Sequence, residues 1–385
     1  MKITDLRIQN FKSIRDMYIP DIENALIIVG QNNTGKTTVL EAIRAAGGEY
    51  AIGPDDFGEA GATIKIRVTL SFTDADMELL HRGGVVSQYR KKEAWLQDFG
   101  RKLPSFSEGR LTFTMTANKS GRIRYMDGTN KNNPYIREVF PKIYHVDTER
   151  KLEQLQSDLL LLQEDEILTR MRSGCCMFNQ AKDCNYCFHC IGLIEQKTPG
   201  QLDVFETSKL LDYKLYRLNL DTFARMVNDC FHKNGGRESI HYYMNRNAEK
   251  LLQVTTEICH PAQNVPHPIS RMGKGMRSIY LFSLLEAYTQ IKESLPSIIM
   301  IEDPEIFLHP SLQKVCGRIL YRLSAKNQVI FTTHSPNLLP NFNSRQIRQV
   351  LLGEDGSCRI RKKTDISAIL DDLGYTAGDL MNVNF

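Results

Sequence analysis

The segment Gly30–Thr38 constrains this chain more than any other, because it fits the pattern G-x-x-x-x-G-K-[ST]. It follows the apolar run Ala25–Val29, which predicts a buried strand, and it leads into Thr37–Ala46, which predicts a helix. A strand, a glycine-rich loop and a helix N-terminus together form a cradle of backbone N–H groups that binds phosphate. The sequence therefore predicts a P-loop at this position and not a chance glycine-rich turn.

Residues of this loop have distinct expected roles. The Lys36 ammonium is expected to reach the β- and γ-phosphates of a nucleotide, and the Thr37 hydroxyl is expected to bind Mg²⁺. Backbone N–H groups along the loop are expected to surround the phosphate oxygens. The predicted phosphate-binding residues are Gly30, Asn32, Asn33, Thr34, Gly35, Lys36, Thr37 and Thr38.

The composition is that of a globular protein with a sizeable core. The chain has 385 residues, of which 42% are hydrophobic and 24% are charged, and this length favours two domains or one large domain with an insertion. No apolar run approaches the ~18 residues of a membrane span, and the N-terminus lacks the apolar centre of a signal peptide. We therefore expect a cytoplasmic protein that does not enter a membrane, with its nine cysteines reduced or metal-bound. The net charge of +4 permits DNA or RNA as a partner without requiring either.

Alternating hydrophobicity predicts a β-rich N-terminal part that ends near residue 150. The predicted strands are Met1–Ile8, Met17–Pro20, Ala62–Phe72, two strands within Arg110–Asp127, and Lys142–Asp147, and a helical stretch is predicted at 74–103. The next part, 151–250, is predicted to be mainly helical. Leucines at 152, 155, 159 and 162 indicate either a helix packed on its own domain or a short coiled-coil arm.

Helix and strand alternate in the C-terminal part, 251–385. Helices are predicted at Met276–Ser294 and Ser311–Ala325, and apolar strands at Ser297–Ile301 and Gln328–Thr332. Continuous apolar strands between helices indicate a parallel sheet covered on both faces, and the P-loop strand is predicted to lie in that same sheet. The predicted class is therefore α/β, with parts 1–150 and 251–385 forming one domain and 151–250 a helical insertion.

Two acidic residues follow the first of these apolar strands, at the sheet edge where α/β proteins bind ligands. Glu302 is expected to hold Mg²⁺, directly or through water, and Asp303 to polarise the attacking water; an exposed acidic turn is the alternative. His334 ends the next strand and is expected to bond the γ-phosphate or the water, unless its role is structural. A glycine-punctuated turn at Ser270–Ser278 opens a helix and presents N–H groups that suit an anion, although such a turn is a weak signal by itself.

In their order, these motifs resemble those of ABC-type ATPases of the SMC/RecF kind, and most closely those of the ATPase domain of the OLD (overcoming lysogenisation defect) family. The segments that carry the resemblance are Ile8–Ile14, Gly30–Thr38, Gly273–Arg277, Ile301–Pro310, Thr333–Pro336 and the tail Ile369–Leu380. The resemblance is good over residues 1–75 and 265–385 and poor over 150–250.

The resemblance implies an ABC-type head that binds ATP and Mg²⁺ in a site shared between two protomers. One protomer would supply the P-loop, the acidic pair and His334. The other would supply the signature turn, Gly273, Lys274 and Gly275, which has no evident role inside its own protomer. The expected assembly is therefore a homodimer or a larger homo-oligomer joined through ATP.

The chain departs from the family pattern at several positions. Lys274 occupies the usual serine position of the signature turn, Arg277 the usual glutamine position, and Asp303 a position where glutamate is frequent. Full OLD nucleases continue into a Toprim nuclease domain, whereas this chain stops at Phe385, where that domain would begin. We expect either a separate nuclease or toxin as the effector, or a shortened chain.

Five of the nine cysteines are clustered between positions 175 and 190, and the last three form a C-x₂-C-x₂-C pattern. A tetrahedral Zn²⁺ site needs four ligands, so one of the two earlier cysteines, or His189, would complete it. An iron–sulfur cluster and a group of metal-free thiols are the alternatives. The candidate Zn²⁺ ligands are Cys175, Cys176, Cys184, Cys187 and Cys190.

Three functions agree with these features. The first, and the predicted one, is an ATP-driven switch that dimerises on ATP and controls a nuclease or toxin partner in bacterial anti-phage defence. The second is a RecF/SMC-like ATPase of DNA repair or chromosome maintenance, which a long coiled coil would favour. The third is a nucleotide-binding scaffold that does not hydrolyse ATP; loss of Lys36 or Asp303 would favour it, and both are present.

Overall fold

The computed structural model describes residues 1–58, 62–149, 170, 174–179, 182–216, 221–233, 237, 239, 256–259, 266–290, 295–361, 366–372 and 374. The chain divides into two compact units. The first comprises Met1–Leu152 and Ile269–Phe385, and the second comprises Glu153–Pro268. The second unit thus begins close to the position expected from the sequence and extends beyond residue 250, where we expected the insertion to end.

The described strands, in chain order, are β1 Lys2–Phe11, β2 Ile14–Ile19, β3 Ala25–Val29, β4 Ile64–Ser71, β5 Arg110–Ala117, β6 Ile123–Met126, β7 Ile143–Val146, β8 Glu257–Cys259, β9 Pro266–Pro268, β10 Ile298–Ile301, β11 Gln328–Thr333, β12 Ile347–Leu352 and β13 Cys358–Ile360. The described α-helices are α1 Lys36–Gly47, α2 Asp74–Arg82, α3 Lys92–Lys102, α4 Tyr135–Val139, α5 Ile191–Ile194, α6 Val204–Tyr216, α7 Asp221–Lys233, α8 Lys274–Gln290, α9 Pro310–Leu323 and α10 Ile366–Asp372.

One sheet of the first unit is antiparallel, with strand order β2-β1-β4-β5-β6. Its strands alternate as predicted: Ile64, Ile66, Val68 and Leu70 of β4 are fully buried, and the residues between them face outward. Such alternation fits a sheet with one face on the core and one face in solvent. The stretch 74–103, predicted to be helical, forms α2 and α3.

The other sheet has the order β13-β12-β3-β11-β10-β7. Strands β12, β3, β11, β10 and β7 run parallel to their neighbours, and β13 pairs antiparallel with β12. Every residue of β3, β10 and β11 is buried, as continuous apolar runs predict. The P-loop strand therefore lies in the same sheet as the C-terminal strands, and the predicted α/β class is confirmed.

One hydrophobic cluster contains residues from both sheets of the first unit and from helix α1. It contains Ile8 and Ile66 from the antiparallel sheet, Val39 and Ile43 from α1, and Ile330 from the parallel sheet. Helix α1 is buried over most of its length. Contacts with both sheets therefore fix the position of α1 and of the P-loop residues at its start. No helix in the described part of the chain is long and apolar enough to cross a membrane.

The second unit has short described elements. Strands β8 and β9 form an antiparallel pair, and a small apolar cluster lies around α5, formed by Cys190, Ile191 and Ile194 with Met177, Phe188, Leu202, Leu210 and Tyr213. The four leucines that predict a helix or a coiled-coil arm lie outside the described residues.

Candidate nucleotide site

The P-loop joins the end of β3 to the start of α1, and two of its glycines are required by close backbone approach. Gly35 has φ 94°, and a Cβ there would lie 2.4 Å from the Cys358 Sγ. A Cβ at Gly30 would lie 2.4 Å from the Val350 carbonyl oxygen. Neither position has room for a side chain, so β12 and β13, which the sequence did not predict, form the wall behind the loop.

The loop is closed around its own lysine. Lys36 Nζ donates hydrogen bonds to the carbonyl oxygens of Gly30 (3.0 Å) and Gln31 (2.8 Å), and the side chain is buried. Thr34 Oγ1 also donates to the Gln31 carbonyl, at 2.9 Å. The side chains of Asn32, Asn33 and Thr37 are exposed, so a ligand can reach the predicted phosphate-binding and metal-binding groups from solvent.

The acidic pair and His334 lie at the same edge of the parallel sheet as the P-loop. In the register, Val29 pairs with Thr333 and Phe331 pairs with Ile301, so β3, β11 and β10 end together. The groups that follow these three strands in the chain are the P-loop, His334 and the pair Glu302–Asp303. A parallel sheet collects ligand-binding groups at this edge, and here the P-loop, the acidic pair and His334 all follow strands that end there.

Asp303 is held in an unusual backbone conformation by the neighbouring strand. Its φ is 41°, in the left-handed region that few non-glycine residues adopt. The Thr332 hydroxyl donates to Asp303 Oδ1 (2.9 Å) and accepts from the Asp303 N–H (3.0 Å). The strand β11 therefore fixes both the backbone and the carboxylate of the residue that we expect to polarise water.

His145 is a member of this site that the sequence analysis missed. It lies in β7, paired with Met300 of β10, and its Nε2 lies 2.9 Å from Glu302 Oε1. A lone histidine inside an apolar strand does not indicate such a contact from the sequence. The contact with Glu302 follows only from the pairing of β7 with β10.

His334 lies beside the P-loop lysine and the acidic pair. Burial and the Lys36 ammonium hold the pKa of the His334 imidazole below its ordinary value, while the Asp303 carboxylate acts in the opposite direction. The neutral imidazole is therefore favoured near pH 7. A neutral His334 has one N–H donor and one acceptor nitrogen, which suits contact with either a phosphate oxygen or a water.

The signature turn contacts the segment that follows the acidic pair in the same chain. Lys274 Nζ lies over the Phe307 ring, 4.6 Å from its centroid, and a Cβ at Gly275 would lie 2.5 Å from the Phe307 carbonyl oxygen. Gly273, by contrast, is exposed, and a Cβ added there would have no described atom within 4 Å. Lys274 and Gly275 therefore pack against Phe307 inside their own protomer, and their expected contact with the ATP of a second protomer stays a prediction.

Hard oxygen ligands for Mg²⁺ are available at the sheet edge. The Thr37 hydroxyl is exposed at the start of α1, and Glu302 presents a half-buried carboxylate beyond the end of β10. Oxygen donors with open positions for water and phosphate are what Mg²⁺ prefers, so these residues fit the ion that the predicted chemistry needs.

The clustered cysteines are only partly brought together. Cys175 and Asp183 form an isolated antiparallel bridge, which turns neighbouring residues to opposite sides. No group of three or more His, Cys, Asp or Glu side chains within the described ranges is arranged so that it could hold a metal ion. The described residues therefore contain no preformed set of ligands for the predicted Zn²⁺.

Comparison with known proteins places this geometry in a family. The family model described as the AAA ATPase domain matches residues 1–168 and 205–339. An OLD nuclease of Thermus scotoductus is 24% identical, over 86% of this chain and 58% of that protein. The Old nuclease of Escherichia phage P2 is 23% identical, over 97% of this chain and 62% of that protein. The chain therefore spans about 60% of the length of these relatives.

A solved structure with the same fold is the Smc head domain with an extended coiled coil from Pyrococcus furiosus. The TM-score is 0.52, with 15% sequence identity, and the match covers 93% of this chain and 95% of that one. At this identity the likeness concerns the fold alone, which is that of an ABC-type ATPase head.

Proposed function

Because the chain belongs to the AAA ATPase domain family and is related to OLD nucleases, we propose that it binds ATP with Mg²⁺ and hydrolyses it to operate a switch. The observation that carries the proposal is the common edge of β3, β11 and β10, where Lys36, His334 and Asp303 meet. A phosphate-binding lysine, a neutral imidazole and a fixed carboxylate are the groups that phosphoryl transfer to water uses.

Each group has a role in this proposal. Lys36 leaves the Gly30 and Gln31 carbonyls to bind the β- and γ-phosphates, and Thr37 with Glu302 would hold Mg²⁺. When bound, the ion neutralises charge that develops on the phosphate oxygens. Asp303, held by Thr332, accepts hydrogen bonds from the attacking water and orients it.

His334 completes the half-site in this proposal. Since its pKa is lowered by burial and by Lys36, the imidazole stays neutral at pH 7 and does not repel the lysine. Its N–H donates to a γ-phosphate oxygen, and this bond strengthens as negative charge develops there in the transition state.

We further propose that two protomers pair on ATP through the signature turn. Gly273 supports this step, because it is exposed and its Cα has open space around it in the described structure, unlike that of Gly275. It immediately precedes α8, and the Arg277 N–H donates to its carbonyl oxygen at 3.1 Å. Free N–H groups of the first helical turn then face the γ-phosphate of the other protomer.

The effector is proposed to act in trans. The relatives are named as nucleases, so the proposed switch is expected to act on a nuclease or a comparable effector. We propose that ATP-dependent pairing controls a separate nuclease or toxin, as an anti-phage device, and that the purified chain does not cleave DNA by itself.

Zn²⁺ binding by the second unit is a separate part of the proposal. A cavity of about 20 Å³, enough for one ion or water, is lined by Cys176, Cys184, Cys187 and Cys190. Backbone N–H groups of Phe178 and Asn179 donate to the Cys176 sulfur and lower the pKa of that thiol. Burial, together with the charges of the two neighbouring thiols, raises the pKa of Cys190, a penalty that a bound cation removes.

Cys175 is left out of the proposed ligand set. Its Sγ is directed to the Arg170 carbonyl oxygen, at 3.6 Å, and it does not line the cavity. Because no preformed ligand group exists among the described residues, the four remaining thiolates would have to turn inward to hold the ion.

The test of hydrolysis is phosphate release by the wild type, Lys36→Ala and Asp303→Asn proteins with MgATP. We expect release from the wild type and at least about a hundredfold less from both variants. Asp303→Asn removes a positioned base, which typically contributes 10²–10⁴ in rate, and Lys36→Ala removes the lysine that binds the transferred phosphate. Asp303→Asn should still bind ATP, because it keeps the phosphate contacts. Equal rates for wild type and Lys36→Ala would refute hydrolysis and leave a nucleotide-binding scaffold.

A further inference from the structure

Glu305 links the acidic segment to the segment that carries His334. Its Oε1 accepts one hydrogen bond from the backbone N–H of His334, at 2.6 Å. The same oxygen accepts a second bond from the Thr333 hydroxyl, at 2.8 Å. One carboxylate oxygen therefore holds two consecutive residues at the end of β11, immediately beside the imidazole.

Burial of the Glu305 carboxyl is unfavourable by itself. Its second oxygen, Oε2, is buried without a hydrogen-bond partner among the described residues. Burial raises the pKa of this carboxyl above its ordinary value, although the bonds from His334 and Thr333 act against the shift. Desolvation of such a group destabilises the fold, and the two bonds to the His334 segment are what offset it.

A second polar side chain holds the same segment from the other side. Gln313 Oε1 in α9 accepts bonds from the Ser335 hydroxyl (2.8 Å) and the Asn337 amide (2.9 Å). Gln313 Nε2 donates to the Leu308 carbonyl oxygen at 3.0 Å. The residues before and after His334 are thus both tied to Glu305–Gln313, the stretch that follows the acidic pair in the chain.

We infer that Glu305 is a positioning residue for ATP hydrolysis, which fixes the backbone of His334 so that its imidazole meets the γ-phosphate. The inference rests on the proposed function. Glu305 itself touches neither phosphate nor water; it acts through His334. A misplacement of about 1 Å of a transition-state group can cost about a hundredfold in rate, and the bond at the His334 N–H is the contact that prevents it.

The prediction separates turnover from ATP binding. Glu305→Ala removes both bonds to Oε1 and leaves the His334 N–H and the Thr333 hydroxyl without this acceptor. We expect kcat to fall by about ten- to a hundredfold, with the Kd for ATP changed by less than about threefold, because the P-loop is untouched. Glu305→Gln keeps an oxygen at the Oε1 position and should recover most of kcat.

A double-mutant cycle distinguishes positioning from general destabilisation. If Glu305 acts through His334, Glu305→Ala should have little further effect on kcat once His334→Ala has been introduced. A merely structural role would lower kcat by the same factor in both backgrounds. Glu78→Ala, which removes a surface carboxylate paired with Lys92, is the matched control and should leave kcat unchanged.

Kinetics of these variants with MgATP, and ATP affinity by equilibrium titration, test the inference. It fails if Glu305→Ala keeps wild-type kcat, if the two mutations are additive, or if Glu305→Gln is as slow as Glu305→Ala. Failure of the proposed function is recognised separately, because wild-type phosphate release would then not exceed that of Lys36→Ala.

Discussion

Replacing Gly275 by alanine would place a Cβ 2.5 Å from the Phe307 carbonyl oxygen and 3.6 Å from Leu308 Cδ2. A relaxed carbon–oxygen contact is about 3.3–3.6 Å, so the two backbones must separate by about 1 Å. Phe307 has φ 68°, a conformation that is already an outlier for a bulky residue. Overpacking of this kind costs about 1–3 kcal/mol, against about 1 kcal/mol that alanine would gain in an open helix.

The sign of the stability change therefore tests the packing. We expect Gly275→Ala to lower the Tm by up to roughly 8 °C, from a net loss of up to about 2 kcal/mol and about 2–4 °C per kcal/mol. Gly273→Ser is the matched control: the site is open, and serine is a preferred N-cap, so its Tm should be unchanged or higher. Differential scanning calorimetry measures both. A rise in Tm for Gly275→Ala would refute the contact between the signature turn and Phe307.

Three further outcomes are expected. The Asp303→Asn protein with MgATP should sediment as a dimer or larger. Adding Gly273→Asp to it should prevent dimerisation without lowering the Tm, because aspartate caps a helix but repels phosphate. Dimers of this double variant would contradict pairing through the signature turn. Protein purified without added metal should contain about one zinc per chain by elemental analysis, as a single four-ligand site requires. Cys176→Ser should lose this zinc and Cys175→Ser should keep it. Absence of zinc from the wild type would refute the zinc proposal. The kcat should stay constant from about pH 8 down to about pH 6.5, the ordinary histidine pKa, and should decrease at lower pH. The lowered pKa keeps the His334 imidazole neutral over the upper range, and protonation follows only at lower pH. An identical pH profile for His334→Ala would assign the decrease in kcat to another group.

The parts of this fold that the sequence predicts well are those with a local cause. The P-loop needs glycine at positions 30 and 35 because Val350 and Cys358 lie close to its backbone there, and the sequence pattern specifies both glycines. Buried parallel strands are continuous apolar runs, so β3, β10 and β11 were expected close to their observed bounds. Strand β12 was missed because Arg348 and Gln349 interrupt its apolar run, although Gln349 is buried in the structure.

Pairing between distant segments could not be predicted in the same way. Alternation shows which face of β4 is buried, but it does not show that β1, β2, β4, β5 and β6 form a sheet of their own. His145 becomes a contact of Glu302 only through the register of β7 with β10. Adjacent cysteines are equivalent in the sequence, whereas in the structure Cys176 lines the cavity and Cys175 does not.

The hydrogen bonds at the sheet edge indicate which contacts ATP has to replace when it binds. Lys36 is satisfied by two carbonyl oxygens of its own loop, whereas Asp303 is already fixed by Thr332 and His334 by Glu305. Binding therefore reorganises the phosphate-binding lysine, while the groups proposed for the chemical step keep their positions. Since preorganised groups need no reorientation at the moment of reaction, the energy of ATP binding in this proposal acts at the P-loop and on the contact between protomers. In this proposal, the switch and the hydrolytic centre are therefore separate parts of one sheet edge.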